Sequence, residues 1–377
     1  MSMRYPTGFI KPGFNPLIAP SPIFLYDLYS WGGNNSGQLG FGDTTARSSP
    51  TQLGSAFNAE NFDLGFGPFC VIVKTDGTLW AWGQNDQGQL GLGNTTAYSS
   101  PKQVGALTNW VNVSMNGRAC IAVKTDGTLW SWGQNSNGQL GLGNTTFYSS
   151  PKQVGSLTNW LKVSAGSYNS YAITTTGQLY AWGRNFATFG SLGLGNGTTY
   201  SSPKQVGSLT NWSNVFGSAQ FCLAVKTDGT LWSWGANSKG QLGLGNTTNY
   251  SSPKQVGALT NWLNVASGYG FTTSVKTDGA LWSWGQNDEG QLGLGNRTYY
   301  SSPKQVGALT NWLSTSCGRY FCASIKTDGT LWSWGINAQG QLGLGNTTKY
   351  SSPKQVGSLT TWLKISSSTY NSLATIL

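Results

Sequence analysis

A Trp-Gly pair recurs at Trp31, Trp82, Trp132, Trp182, Trp234, Trp284 and Trp334, at intervals of 50 to 52 residues along a chain of 377. A period of that length marks architectures whose units cannot bury an apolar face alone and must stack on their neighbours. Seven such units point to one propeller or solenoid, in place of the two or three separate domains that length alone would give.

Each unit reads as four short strands. Between Trp160 and Asn211, the runs WLKVS and SYAIT flank a glycine-containing bend. Most units continue with KTDG, as at Lys124-Thr125-Asp126-Gly127. Asp-Gly between apolar runs is a strong hairpin signal, because both turn residues tolerate positive φ. TLWSWG then alternates as a strand does, and a glycine-rich loop leads to SSPKQVG, where proline fits only a strand start or edge. No segment has helical period. The expected fold is all-β: a seven-bladed β-propeller with four antiparallel strands per blade.

The chain ends at NSLATIL, where another unit would turn through Asp-Gly, and its first recognisable unit starts at Asp27-Leu28-Tyr29. N- and C-terminal strands are therefore expected to share one blade and close the ring, covering an edge that would otherwise template aggregation. The expected domains are residues 1–24, an extended proline-containing leader, and residues 25–377, the propeller.

The WGxNxxGQLGLG run, followed by Pro and Val and then by an apolar run ending in Asp-Gly, resembles the repeat of the regulator of chromosome condensation family over roughly residues 25–377. That resemblance implies a seven-bladed propeller. For the family's founder it also implies guanine-nucleotide exchange and chromatin binding through an inserted wedge and a basic arm. Here the arm carries only Arg4 and Lys11, and the largest insertion is two residues, in Phe186-Ala187-Thr188-Phe189. The family's repeat usually carries a histidine where this chain has Phe69, Ala119, Asn169, Phe221, Phe271, Phe321 and Asn371.

Charged residues make up only 9% of the chain, yet the formal net charge is +10. The lysines fall one per repeat in two registers, Lys102 to Lys354 and Lys74 to Lys326. Such rings are expected to be solvated surface, a poor groove for nucleic acid. No histidine is present, which excludes Ser-His-Asp and Cys-His chemistry; no phosphate-binding GxxxxGK[ST] loop occurs, and Asp288-Glu289 are too close to act as a spaced acid/base pair. The chain is read as a non-enzyme without cofactor or metal. Cys70, Cys120, Cys222, Cys317 and Cys322 are expected to be free and buried, since four occupy equivalent positions of different repeats, too far apart for a disulfide. The eighteen tryptophans lie in three repeated registers, read as packing between blades. The six Asn-x-Thr sequons from Asn94 to Asn346 are read as local turns that asparagine favours. No apolar stretch reaches the roughly 18 residues of a membrane-spanning helix, and prolines interrupt the N-terminus where a secretory signal would be apolar.

Comparing units within the chain separates constant from variable positions. The bend before KTDG, the pair after WGxN and the residue before YSS vary; KTDG and LTN barely change. Strand parity puts the variable segments on one face of the disc and the constant turns on the other. Candidate binding residues on the variable face are Arg118, Phe147, Tyr168, Asn169, Phe186, Phe216, Gln220, Tyr269, Phe271, Tyr299, Arg319 and Tyr320, residue types common at recognition surfaces. The leader, with Arg4, Tyr5, Phe9, Lys11 and Phe14, is read as an anchor. It resembles the leaders of propeller proteins encoded by marine bacteriophages, which implies a virion protein, tail- or capsid-associated. In that reading the leader docks on other virion proteins and the variable face meets a host-surface glycan or protein. The alternative is an intracellular protein-interaction or chromatin/GTPase-regulating propeller of the same repeat family, cytoplasmic and without membrane insertion.

Overall fold

A computed structural model describes residues 26–54 and 57–376. The leader and its expected anchor residues lie outside them. The described residues form seven four-stranded antiparallel sheets and no helix, so none could cross a membrane as a helix.

One blade shows how the sequence sets the rest. Trp110–Met115 runs nearest the axis, Ala119–Lys124 and Leu129–Gly133 follow, and Tyr148–Gln153 lies outermost. The second strand is buried on both faces, between its own sheet and the neighbouring blades, which is why it reads as the continuous run ACIAVK. The outer strand is half-exposed and carries Pro151, at the sheet edge where a missing N–H is tolerated.

The hairpin at KTDG forms as expected, with positive φ at the glycine only. Gly127 N donates to Lys124 O at 2.9 Å and Lys124 N to Thr128 O at 3.1 Å, while Gly127 alone takes φ +74°. Asp126 keeps negative φ, so Thr125 and Asp126 form the centre of a type I turn and Gly127 a bulge. The aspartate is held there by its own acceptor role: Asp126 Oδ1 receives Thr128 N at 2.9 Å and Thr128 Oγ1 at 2.6 Å.

Between blades the tryptophans do the fastening. Trp31, Trp82, Trp132, Trp182, Trp234, Trp284 and Trp334 are all buried, and each indole N–H donates to a backbone carbonyl of the preceding blade's glycine-rich loop at 2.8–3.0 Å. The LTNW tryptophans pack edge-on against the LWSWG aromatics, as Trp262 does on Trp284 at 5.7 Å. The ring closes as expected: Asp27–Gly32 pairs with Asn371–Ile376 over six consecutive residues, and the shared sheet runs from Arg47–Gln52 on the outside to Trp362–Ser367 on the inside.

The lysines correct the sequence reading in one register. Lys124, Lys226, Lys276 and Lys326 are buried, each Nζ lying 3.7–3.9 Å from the centroid of its own blade's indole and 4.7–5.1 Å from a second. The ring quadrupoles replace part of the ammonium's lost hydration; desolvation lowers these lysines' pKa, partly offset by the turn aspartate. The other register, including Lys102 and Lys254, is exposed on the outer strands as expected.

Candidate functional site: the channel mouth on the variable face

Seven inner strands surround a channel of about 370 Å³. Its wall is tied by serine hydroxyls, each accepting a backbone N–H from the next blade: Ala165 N to Ser114, Gly217 N to Ser164, Ser367 N to Ser316 and Leu64 N to Ser366, at 2.8–3.0 Å. Phe216 and Ala266 take the same register without a hydroxyl. Asp63 also faces this channel and accepts from Ser114 Oγ at 2.6 Å. Confinement by the channel wall raises its carboxyl above the ordinary range, opposed by hydrogen bonds from Ser114, Ser366 and the Leu64 amide.

At one end the channel opens among the variable bends. Each bend is held by its own blade: the amide after Trp-Gly donates to the bend carbonyl, Gln134 N to Arg118 O, Arg184 N to Tyr168 O, Ala236 N to Gln220 O and Ile336 N to Tyr320 O, at 2.9–3.0 Å. The side chain at this register can therefore change without moving its backbone. The WGxN loop beside it is equally fixed, because buried Asn135 donates to Asn144 O and Thr146 O and accepts from Leu140 N. The Asn-x-Thr sites are the expected local turns, with Thr146 N donating to Asn144 Oδ1 at 2.9 Å and the same bond in five further blades.

The expected faces hold together in space. Gly127, in the constant turn, lies against Thr158 of LTN, whereas Gly138, in the WGxN loop, lies against Ser201 of the next blade's YSS. The twelve candidate residues do not form one patch. Arg118, Tyr168, Tyr269 and Arg319 line a depression of about 670 Å³ at the channel mouth, and Tyr320 stands beside it against Tyr269 and Arg319. Gln220 is half-buried at the same bend register.

Phe147 and Tyr299 sit on the outer tier, where Lys239 of one blade lies 5.5 Å from the Tyr299 ring of the next. Partial burial and the acceptor Asp288 push the Tyr299 hydroxyl up to about 12, so it is a neutral donor. Phe186 packs on Phe189 at 4.9 Å under Arg184. Three expectations are corrected. Asn169 and Phe271 are fully buried, because their register begins the second strand, enclosed on both faces. Phe216 lines the channel wall, since its alternation in the inner strand points it to the axis.

Two groups escaped the sequence reading. Tyr370 is exposed and lines the same depression, in register with Tyr168 and Tyr320; comparing the seventh bend, SSSTYNS, with the others would have found it. The leucines of LTNW and of its last copy LTTW, Leu107, Leu157, Leu209, Leu259, Leu309 and Leu359, are 43–51% exposed and form an apolar ring on the constant face. Their apolar character reads as core, and only the turn's position at the rim exposes them. All five cysteines are free and buried, as expected, and burial pushes the thiols of Cys70, Cys120, Cys222 and Cys322 up.

The RCC1-like domain family matches residues 27–374. Over 81 residues the chain is 41% identical to the X-linked retinitis pigmentosa GTPase regulator of Canis lupus familiaris, a stretch that is 20% of this chain and 8% of that protein. Its match therefore spans a small part of that relative. Among solved structures, human WBSCR16 superposes with a TM-score of 0.81 at 21% identity, covering 93% of this chain and 98% of the other. Prp20p from Saccharomyces cerevisiae, described with its binding to Gsp1p and histones, also superposes at 0.81, with 19% identity and 94% and 92% coverage. At such identities the likeness is one of fold.

Proposed function

We propose that this chain, which belongs to the RCC1-like domain family, is a non-enzymatic recognition propeller that holds a protein partner on its variable face, in the manner of GTPase-regulating relatives. The observation carrying this reading is the pinned bend: a fixed backbone offers side chains that vary between blades, Arg118, Gln220 and the tyrosines Tyr168, Tyr320 and Tyr370, around the channel mouth. The family relatives favour this reading over the virion role, which rests on composition and on a leader outside the described residues; host-glycan binding loses its support with it.

Charge narrows the partner. A chain of net charge +10 repels a basic protein and attracts a neutral or acidic one. The test measures binding of Gsp1p to immobilised protein by interferometry, with a Tyr168→Ala/Tyr269→Ala/Tyr320→Ala variant and a Leu259→Ser/Leu309→Ser variant beside the wild type. Loss in the tyrosine variant and retention in the leucine variant is expected. No binding by the wild type, or the reverse pattern, overturns the reading.

A further inference from the structure

Arg319 is half-buried at the channel mouth, its guanidinium carbon 5.0 Å from the ring of Tyr269 and 5.2 Å from that of Tyr320. Those two rings meet edge to face at 6.0 Å, and Tyr269 N donates to Arg319 O at 3.2 Å, so two blades jointly fix the group. Its Nε is buried and has no hydrogen-bond acceptor. Arg118, across the mouth, is already paired with Asp86 at 3.1 Å; among the described residues no carboxylate pairs with Arg319, and none lines the depression. The oriented guanidinium thus lines the depression with no carboxylate to balance its charge, a place that an incoming anionic acceptor would fill.

We propose that this depression binds an acidic peptide segment of a protein partner, with Arg319 receiving a carboxylate. This deepens, and rests on, the reading of the variable face as a protein-binding surface. A carboxylate can be received by the two terminal Nη donors, Nε being enclosed, and the flanking tyrosines hold the guanidinium in one plane so that little side-chain freedom is lost on binding. The hydroxyls of Tyr168 and Tyr370 and the amides of Gln84 and Gln134 offer further donors around the same space. A nucleic acid would need a run of cations along its backbone. Here one register of lysines is covered by indoles and the other stands on the outer strands, away from the mouth.

The test is fluorescence anisotropy with a fluorescein-labelled peptide of eight glutamates, its eight-glutamine counterpart and an eight-nucleotide thymidine oligomer. The proteins are the wild type, Arg319→Gln, Arg319→Lys and, on the outer rim, Lys254→Gln. The glutamate peptide should bind the wild type, and the glutamine peptide and Arg319→Gln should each weaken binding about ten-fold or more, as expected for one charge-assisted pair. Arg319→Lys should fall between, and Lys254→Gln should stay within about two-fold of wild type. Arg319→Lys keeps the charge and the fold, so its partial loss isolates the fork geometry. Absence of glutamate-peptide binding, equal binding by wild type and Arg319→Gln, an equal loss in Lys254→Gln, or tighter Arg319-dependent binding of the thymidine oligomer would each overturn the proposal. If Gsp1p binding depends on the tyrosines while Arg319→Gln binds the glutamate peptide as wild type does, the face stands and only the carboxylate assignment fails.

Discussion

The indole N–H of Trp31 donates to the backbone carbonyl of Gln341 at 3.0 Å, joining residues 310 positions apart. It is the same bond that fastens every other pair of neighbouring blades, so the junction made by the two chain ends is built like the six internal ones. Gly343 makes room for it: a Cβ there would lie 2.7 Å from Trp31 Nε1, and the residue takes φ +71°. Replacing Trp31 by Phe removes one of the two donors to the Gln341 carbonyl and leaves Ser372 Oγ at 3.4 Å, just as the Gln139 carbonyl at Trp182 keeps Ser170 Oγ at 2.8 Å, so the lost bond should cost about 1 kcal/mol. Trp182→Phe, at an internal junction, should cost the same within error in urea unfolding followed by fluorescence. A loss confined to the internal site would refute equal closure of the ring.

The chain contains its own substitution experiment at position 280. Trp80, Trp130, Trp232 and Trp332 each donate to a threonine hydroxyl two residues earlier at 2.8–2.9 Å, whereas Trp282 follows Ala280 and its Nε1 is buried without a partner. Ala280→Thr should therefore stabilise the protein by about 0.5–1.5 kcal/mol, and Thr230→Ala should destabilise it by a similar amount. Thermal unfolding of both variants decides the point; a lower melting temperature for Ala280→Thr would contradict it.

Acid should loosen the constant turns. The hydroxyl and then the amide of the following threonine lower the carboxyl pKa of Asp126, Asp228 and Asp328. A carboxyl with a depressed folded pKa binds fewer protons than in the unfolded chain, so its contribution is present above the unfolded value, about 3.9, and disappears as pH falls through the lower folded one. The Asp126→Asn/Asp228→Asn/Asp328→Asn variant should lose less stability than wild type between pH 5 and about 3, measured by urea midpoints. Parallel curves would remove the turn aspartates as the cause.

Two glycines with left-handed φ should respond differently to alanine. Gly155 takes φ +60° with open space around its Cβ position, so Gly155→Ala should cost only the backbone preference, about 1 kcal/mol. Gly127 takes φ +74°, and a Cβ there would sit 2.1 Å from Thr158 O of the adjoining turn. Gly127→Ala must displace that turn and should cost clearly more. Equal midpoints in urea would mean that the two turns are not in contact in solution.

Much of this was legible because it is repeated. The Trp-Gly period gave the blade count, strand parity gave the faces, and the incomplete last unit gave the shared blade, since a sheet edge has to be paired wherever its partner lies in the sequence. The site was legible only by register. Tyr168, Tyr269, Arg319 and Arg118 could be placed on a face, but parity within a strand cannot tell a bend residue from the first residue of an enclosed strand. Asn169 and Phe271 were misplaced by that one step. The two lysine registers look alike as letters, and only the packing of two indoles of its own blade, Trp110 and Trp130, makes Lys124 buried while Lys102 stays exposed.

The sequence by itself determined a ring of seven four-stranded sheets and which turns share a side of it, because these follow from periodicity and from the alternation of strand direction. Only the tertiary structure decided which side chains converge at the axis. Arg319, Tyr269 and Tyr370 come from three separate repeats, and the curvature of the closed ring, which no local pattern encodes, brings them to one opening.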